Sequence, residues 1–357
     1  FTNLRLTGPV GAKTVALTWG TSPSIAANLS VELSHGVATQ LVLTQDAATA
    51  ASRAVFGTQP VVSVRDVSGN PVSDFVGRVT VDVSRAGTSV PFALTGATGV
   101  GLSGSPTATF SGVGLYGEVG TFTLTYSSTN LASATQTIVL GHGVATQLDL
   151  TTSAVGFVNR VAFATQPSIT VRDQDGNPVL NYATDIEVTS APVDVNANAE
   201  ITGTLSRSPS SGIATFTNLR LVGKVGQHDL TFSSGNLAVA TQRVSLTHGV
   251  ATAVVLTGAT TAANDRTFGS AVVVEIQDAD ANRVTTGESA NQALTVGATG
   301  ATSVTLAGAD SVSVAAGLAT LSNLKLTGVA GPKTLTASVS TPSLSGTRSI
   351  ELGHGLA

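Results

Sequence analysis

The chain contains no cysteine, which excludes a disulfide, a thiolate metal centre and a cysteine nucleophile, and leaves stability to packed cores. Charged residues make up only 11%, and the net charge of −4 carries no run of Lys or Arg. Such a surface offers no electrostatic footprint for phosphate backbones, so nucleic acid is not an expected partner. Aromatic residues are 4%, with one tryptophan, Trp19, too few for a broad aromatic recognition surface. No run of 18 apolar residues occurs, so membrane insertion is not expected within this segment. The first residue is Phe1, and no basic region followed by an apolar stretch opens the chain. The expectation is a mature fragment, or targeting and anchoring parts that lie elsewhere. The sequence has no nucleophile elbow, no H-E-x-x-H, no Walker loop and no recurring Ser, His and acid set. The G-x-G at Gly112 to Gly114 opens no helical pattern. Neither catalysis nor a cofactor is expected.

What the chain does have is apolar material, 42% of its 357 residues, rich in Val, Ala, Leu and Ile with Thr beside them. That mixture suits pleated, half-buried strands. Gln40-Leu41-Val42-Leu43-Thr44, Arg78 to Val83 and Thr121 to Tyr126 alternate with a period of two. No stretch has a helical period. The predicted class is all-β.

The chain repeats itself. HGVATQL at His35 to Leu41 returns at His142 to Leu148, as HGVATAV at His248 to Val254, and as HGLA at His354 to Ala357, at spacings of 107, 106 and 106 residues. A second marker, VRDVSGNPV at Val64 to Val72, recurs as VRDQDGNPV at Val171 to Val179 and as IQDADANRV at Ile276 to Val284. A third, FTNLRLTG at Phe1 to Gly8, recurs as FSGVGLYG at Phe110 to Gly117, FTNLRLVG at Phe216 to Gly223 and LSNLKLTG at Leu321 to Gly328. A period near 100 residues suits a self-contained β-sandwich, whereas stacked solenoids repeat every ~20 to 50. The expected division is an incomplete C-terminal part of a domain at 1–34, domains at 35–141, 142–247 and 248–353, and the start of another repeat at 354–357. In 1–34, Leu4, Leu6, Val15, Leu17, Val31 and Leu33 would face inward in a complete unit. Preceding sequence, or failing that strands of a neighbouring chain, is expected to cover them.

Asp66, Gly69 and Asn70, with Asp173, Gly176 and Asn177, mark tight strand-connecting turns: the carboxylate accepts N–H bonds, Gly tolerates positive φ and the following Pro fixes the exit. Asp278 and Asn282 mark the third. Asp173 and Asp175 place two carboxylates close together and are the weak candidates for a calcium ligand set. The other copies share no common ligand set and the twelve-residue EF-hand spacing is absent, so structural turns without metal are expected. His35-Gly36, His142-Gly143 and His248-Gly249 recur at the repeat boundaries and read as junctions in which Gly permits a turn and His bonds locally. Successive copies lie roughly 40 Å apart if strands of ~10 residues rise ~3.3 Å each, too far to share an ion. Asn28-Leu29-Ser30 is a candidate N-glycosylation acceptor. A Lys to Asn cross-link is excluded from 35–141, which contains no Lys.

The pattern V-x-D-x-x-G-N-P-V, followed by G-x-A-T-F at Gly212 to Phe216 and N-L-x-L-x-G, resembles the bacterial immunoglobulin-like tandem repeats of invasin- and intimin-type surface proteins. The third repeat departs from it at Ala281 and Arg283, where the others have Gly and Pro. The resemblance implies tandem immunoglobulin-like β-sandwiches in an extended array, extracellular, on a cell surface or secreted. It implies a non-enzymatic stalk, filament or sheath building block, with copies of itself or neighbouring surface proteins as partners. The alternative is an adhesin binding a glycan or host protein through its loops, and behind it an accessory region of a large secreted enzyme.

Overall fold

A computed structural model describes residues 2–21, 23–87, 90–309 and 312–355. Phe1 of the third marker, and Leu356 and Ala357 of the last HGLA, lie outside the described residues. The protein is all-β, built of repeated sandwich-like sheets in tandem. The one helical turn among the described residues is the 3-10 segment Glu288–Ala290. Two compact units divide the chain, residues 1–147 with 171–182, and residues 148–170 with 183–357.

In the first unit, Gly120–Ser127 is flanked by Ala134–Gly141 and by Val76–Ser84 within a five-stranded sheet. Phe122, Leu124 and Tyr126 alternate with threonines along the central strand and are all buried, as a period of two demands when one face meets a core. The facing three-stranded sheet runs Ala38–Gln45, Val61–Asp66, Thr107–Thr109 and sends Leu41, Val62, Val64 and Ala108 into the same cluster. Phe110 packs on Tyr126 at 5.8 Å between ring centroids. Each such side chain taken from water contributes about 1.5 to 3 kcal/mol. Ahead of this sandwich, Gly11–Trp19 and Ile25–Leu33 pair antiparallel, from Gly11↔Leu33 to Trp19↔Ile25. Of the residues expected to face inward, Val15, Val31 and Leu33 are half-buried, while Leu4 is 73% exposed, Leu6 42% and Leu17 37%, whereas Val113 and Tyr126, at the places of Leu4 and Leu17 in the following repeat, are wholly buried.

The second unit repeats the arrangement. Gly331–Ser340 pairs with Ser343–Gly353 and Gln292–Gly300, and Leu335, Ala337, Ile350 and Leu352 meet Val272, Val274 and Ile276 of the facing sheet. In the same unit Ile186–Pro192, Gly226–Ser233 and Ala240–Leu246 form a sheet whose Val188, Leu230 and Phe232 are buried. His228 on Gly226–Ser233 is wholly buried with neither ring nitrogen bonded.

Candidate functional site

The D-x-x-G-N turns are more than strand connectors. In the first unit, Asp173 Oδ1 accepts the backbone N–H of Asp175 at 2.9 Å and of Asn177 at 2.8 Å, closing the turn. Its other oxygen accepts the N–H of Gly143 at 2.7 Å and the Asn177 side-chain amide at 2.9 Å. One carboxylate therefore holds its own turn and the His-Gly linker together. The same four bonds recur at Asp66, with Gly36 at 2.8 Å, and, in the second unit, at Asp278, with Gly249 at 2.8 Å. The asparagine then reaches the preceding repeat. Asn177 donates to Gly117 O at 2.9 Å and accepts from Val119 N–H at 2.8 Å. Asn70 does so with Gly8 O and Val10 N–H, both at 3.0 Å, and Asn282 with Gly223 O at 2.8 Å and Val225 N–H at 3.0 Å. A carboxamide is the one side chain that both donates and accepts on such a spacing. The Gly-x-Val-Gly stretches at 8–11, 117–120 and 223–226 are thus cradles for the next repeat's turn.

Two glycines of the lock are geometric requirements. A Cβ on Gly223, where φ is +144°, would stand 2.2 Å from Asn198 O, and a Cβ on Gly143 would stand 2.6 Å from Ser52 O. The first lets the cradle curl; the second lets the linker lie on the preceding repeat.

A charged pair closes each of the later two locks. Arg53 grips Asp175 with Nε to Oδ2 at 2.9 Å and Nη2 to Oδ1 at 2.6 Å, and Ser52 Oγ donates to Asp175 at 2.6 Å. In the second unit Arg160 grips Asp280 at 2.7 and 2.8 Å, while Asn159 donates to Asp280 at 2.7 Å and to Asp278 at 2.8 Å. Both arginines have positive φ, 65° in each case. The guanidinium fork fits the carboxylate in a way lysine cannot reproduce. Asp173 and Asp175, the calcium candidates, thus point their oxygens at N–H and O–H donors, and no group of three His, Cys, Asp or Glu able to hold a metal occurs among the described residues.

The histidines bond locally. His35, His142 and His248 place Nδ1 against the carbonyl of the next glycine at 3.1, 2.9 and 2.9 Å. The carbonyl makes Nδ1 the donor; the other ring nitrogen lies 3.2 Å from Thr286 N at His248 and 3.5 Å from Asp74 Oδ1 at His35.

Ala281, where the other turns have Gly, keeps the turn and takes a φ of 56°, against 82° for Gly69 and Gly176. Every Asp278 bond survives, so the sequence departure costs strain and leaves the geometry unchanged. Ala281→Gly is expected to stabilise the protein by about 1 kcal/mol, read from chemical denaturation; an unchanged midpoint would contradict the strain.

The locks titrate. Hydrogen bonds from Gly36 N–H and the Asn70 amide pull the Asp66 carboxyl from 3.8 to about 2. At Asp278 burial works against ionisation, but bonds from Asn282, Gly249 and Asn159 outweigh it and the value again falls to about 2; burial is likewise outweighed at Asp173, which is lowered. A depressed carboxyl contributes stability that is present above the unfolded value and lost as pH falls through the folded one. The melting temperature is therefore expected to hold above pH ~4 and to drop between pH ~4 and ~2. A flat profile across that window would contradict the bonding pattern.

The sequence singles out the turn and junction residues but not the groups they bond, Ser52-Arg53, Asn159-Arg160 and the cradles. A signal existed: the third marker ends on each cradle's first glycine, at Gly8, Gly117 and Gly223.

Fold and site define an all-β repeat chain in which the Asp and Asn of each D-x-x-G-N turn bond the preceding repeat and its linker. Among solved structures it is similar to the Escherichia coli adhesin FdeC, at 14% identity and a TM-score of 0.36 over 90% of this chain and all of that one. It is also similar to the bacterial integrin-binding protein invasin, at 15% identity and a TM-score of 0.35 over 88% of this chain and 60% of that one. Domains 4–9 of the surface layer protein SbsC match at 17% identity and a TM-score of 0.22 over 96% of this chain and 54% of that one. At these values the likeness concerns the kind of fold. No protein-family model matches the chain, and no curated protein matches it by sequence. No helix among the described residues is long and apolar enough to cross a membrane.

Proposed function

We propose that this chain is a structural repeat region of a secreted or cell-surface protein, a building block of a stalk, filament or sheath, with its domains divided at 35–141, 142–247 and 248–353. The observation that carries this reading is the recurrence of one lock: the Asp carboxylate on the linker glycine, and the Asn amide on the preceding cradle. An enzyme concentrates its polar side chains in one site; here they are spent, copy after copy, on joining one repeat to the next. Neighbours so joined resist bending at their junctions and transmit tension through strands that run between them. Partners of such an element are copies of itself or neighbouring surface proteins. The test is to stretch the chain from its two ends. Unfolding is expected in discrete events of like length, each releasing roughly 350 Å for one repeat of extended chain. A single event or a featureless extension would refute the division into load-bearing repeats.

A further inference from the structure

A fourth cradle, the second in the second unit, lies at Gly328 to Gly331; the backbone bonds of the two residues that frame it repeat those framing the cradles at Gly117 and Gly223, although Gly328 lacks the positive φ of Gly8, Gly117 and Gly223. Ser52, Asn159 and Asn264 donate their N–H to the carbonyls of Gly141, Thr247 and Gly353. Arg53, Arg160 and Asp265 donate theirs to Leu115, Leu221 and Leu326, and all three have positive φ, with Asp265 at 59°. Asn264 Oδ1 accepts Gly328 N–H at 2.9 Å, as Asn159 Oδ1 accepts Gly223 N–H at 3.0 Å. A Cβ on Gly355 would lie 3.3 Å from Asn264 O, as one on Gly249 would lie 2.9 Å from Asn159 O. The linker glycine thus already rests on this cradle in the manner of the other two.

One residue differs in kind. Where Arg53 and Arg160 grip the aspartates of the docked turns, this cradle presents Asp265, held at 2.7 Å by Lys325 and 67% exposed at its side chain. The docked turns carry Asp175 and Asp280 at the matching place; the turn at Asp66 to Asn70 carries Ser68.

We propose that this fourth cradle is a docking site for a repeat unit joined in tandem at Gly355, and that Asp265 makes it selective: it takes an Asp-x-x-Gly-Asn turn with Ser, as at Ser68, or a basic residue at the third position, and rejects one with Asp there. Asn of the incoming turn bonds Gly328 O and Ala330 N–H, and its Asp takes the N–H of Gly355. A serine hydroxyl donates to the Asp265 carboxylate, whereas a second carboxylate at the separation of the Arg–Asp pairs meets like charge, weakened by Lys325 at 2.7 Å and by the neighbouring Arg266. The residues at 53, 160 and 265 then form a charge code that decides which repeat follows which. The inference rests on the lock and is independent of where the protein works.

The test extends the full chain after Gly355 with a copy of residues 37–141, carrying Ser68, or with a copy of 144–247, carrying Asp175. Hydrogen exchange at Ala330 N–H is followed at low salt. The first extension is expected to slow exchange roughly tenfold or more relative to the unextended chain, as docking of that N–H demands. The second leaves it near the unextended rate, and slows it once Asp265→Arg is introduced. Equal protection by both extensions overturns the charge code. No protection by the first overturns the docking site, with folding of the added repeat read from the amides equivalent to Val62 and Val64. A first extension that fails to fold counts against it as well, because the same residues fold after Gly36.

Discussion

Replacing Asp173 by alanine is expected to destabilise the protein by about 3 to 5 kcal/mol, far more than one surface carboxylate usually contributes. The Asp173 side chain is buried, and its two oxygens receive the N–H groups of Asp175, Asn177 and Gly143 and the Asn177 amide. Alanine removes all four acceptor contacts and leaves the donors without the charged acceptor that joined them. Asp173→Asn is expected to recover little, because its own N–H groups would face donors. Asp175→Ala is the control. It removes the grip of Arg53, whose side chain is 43% exposed, and is expected to cost about 1 kcal/mol or less. Chemical denaturation measures both, and an Asp173→Ala cost below about 1 kcal/mol would mean that the carboxylate does not organise the junction.

His228→Phe is expected to act in the opposite direction, stabilising by about 2 kcal/mol. His228 is wholly buried on the strand Gly226–Ser233, between Pro192 and Val244 in the ladder, and neither ring nitrogen has a partner. Two polar atoms have lost water and gained nothing. In the first repeat Phe122 occupies the same place and packs edge-on against Phe92 at 5.2 Å; in the third, Lys333 escapes the same penalty by reaching Thr302 Oγ1 at 2.9 Å. Phenylalanine removes the unbonded nitrogens and brings a larger ring, which the first repeat accommodates wholly buried at Phe122. A rise of several degrees in melting temperature is the expected reading, and a fall would show that the imidazole has a partner that phenylalanine cannot replace.

The all-β class was legible because strands with one buried face write their burial into the sequence: Phe122, Leu124 and Tyr126 stand at every second place and all three are core. The D-x-x-G-N turns were legible for a similar reason, since their chemistry is local and lies within five residues. The docking partners were not. Asn70, Asn177 and Asn282 meet backbone atoms of Gly8, Gly117 and Gly223 some 60 residues away, and a backbone acceptor leaves almost no trace in residue identity. Ala281 shows the converse. The sequence pattern breaks there, yet Asp278 holds the turn with the same bonds, because the carboxylate and the asparagine define the turn and glycine only eases it. Arg53 and Arg160 carry no mark in the sequence that separates them from the other arginines; their shared place beside the cradle, at positive φ, sets them apart.

The second residue of the cradle is Pro9, Glu118 or Lys224 in the three docked copies and Val329 in the fourth. An imino acid, an acid, a base and an aliphatic chain serve one joint, because the asparagine reads main-chain atoms on either side of it. A joint that ignores most side chains lets the gene gain or lose whole repeats by unequal crossing-over without ruining the connections on either side of the break. Length can then drift in steps of one repeat while the joints stay sound, and the residues at 53, 160 and 265 are where selection can still tell one ordering of copies from another.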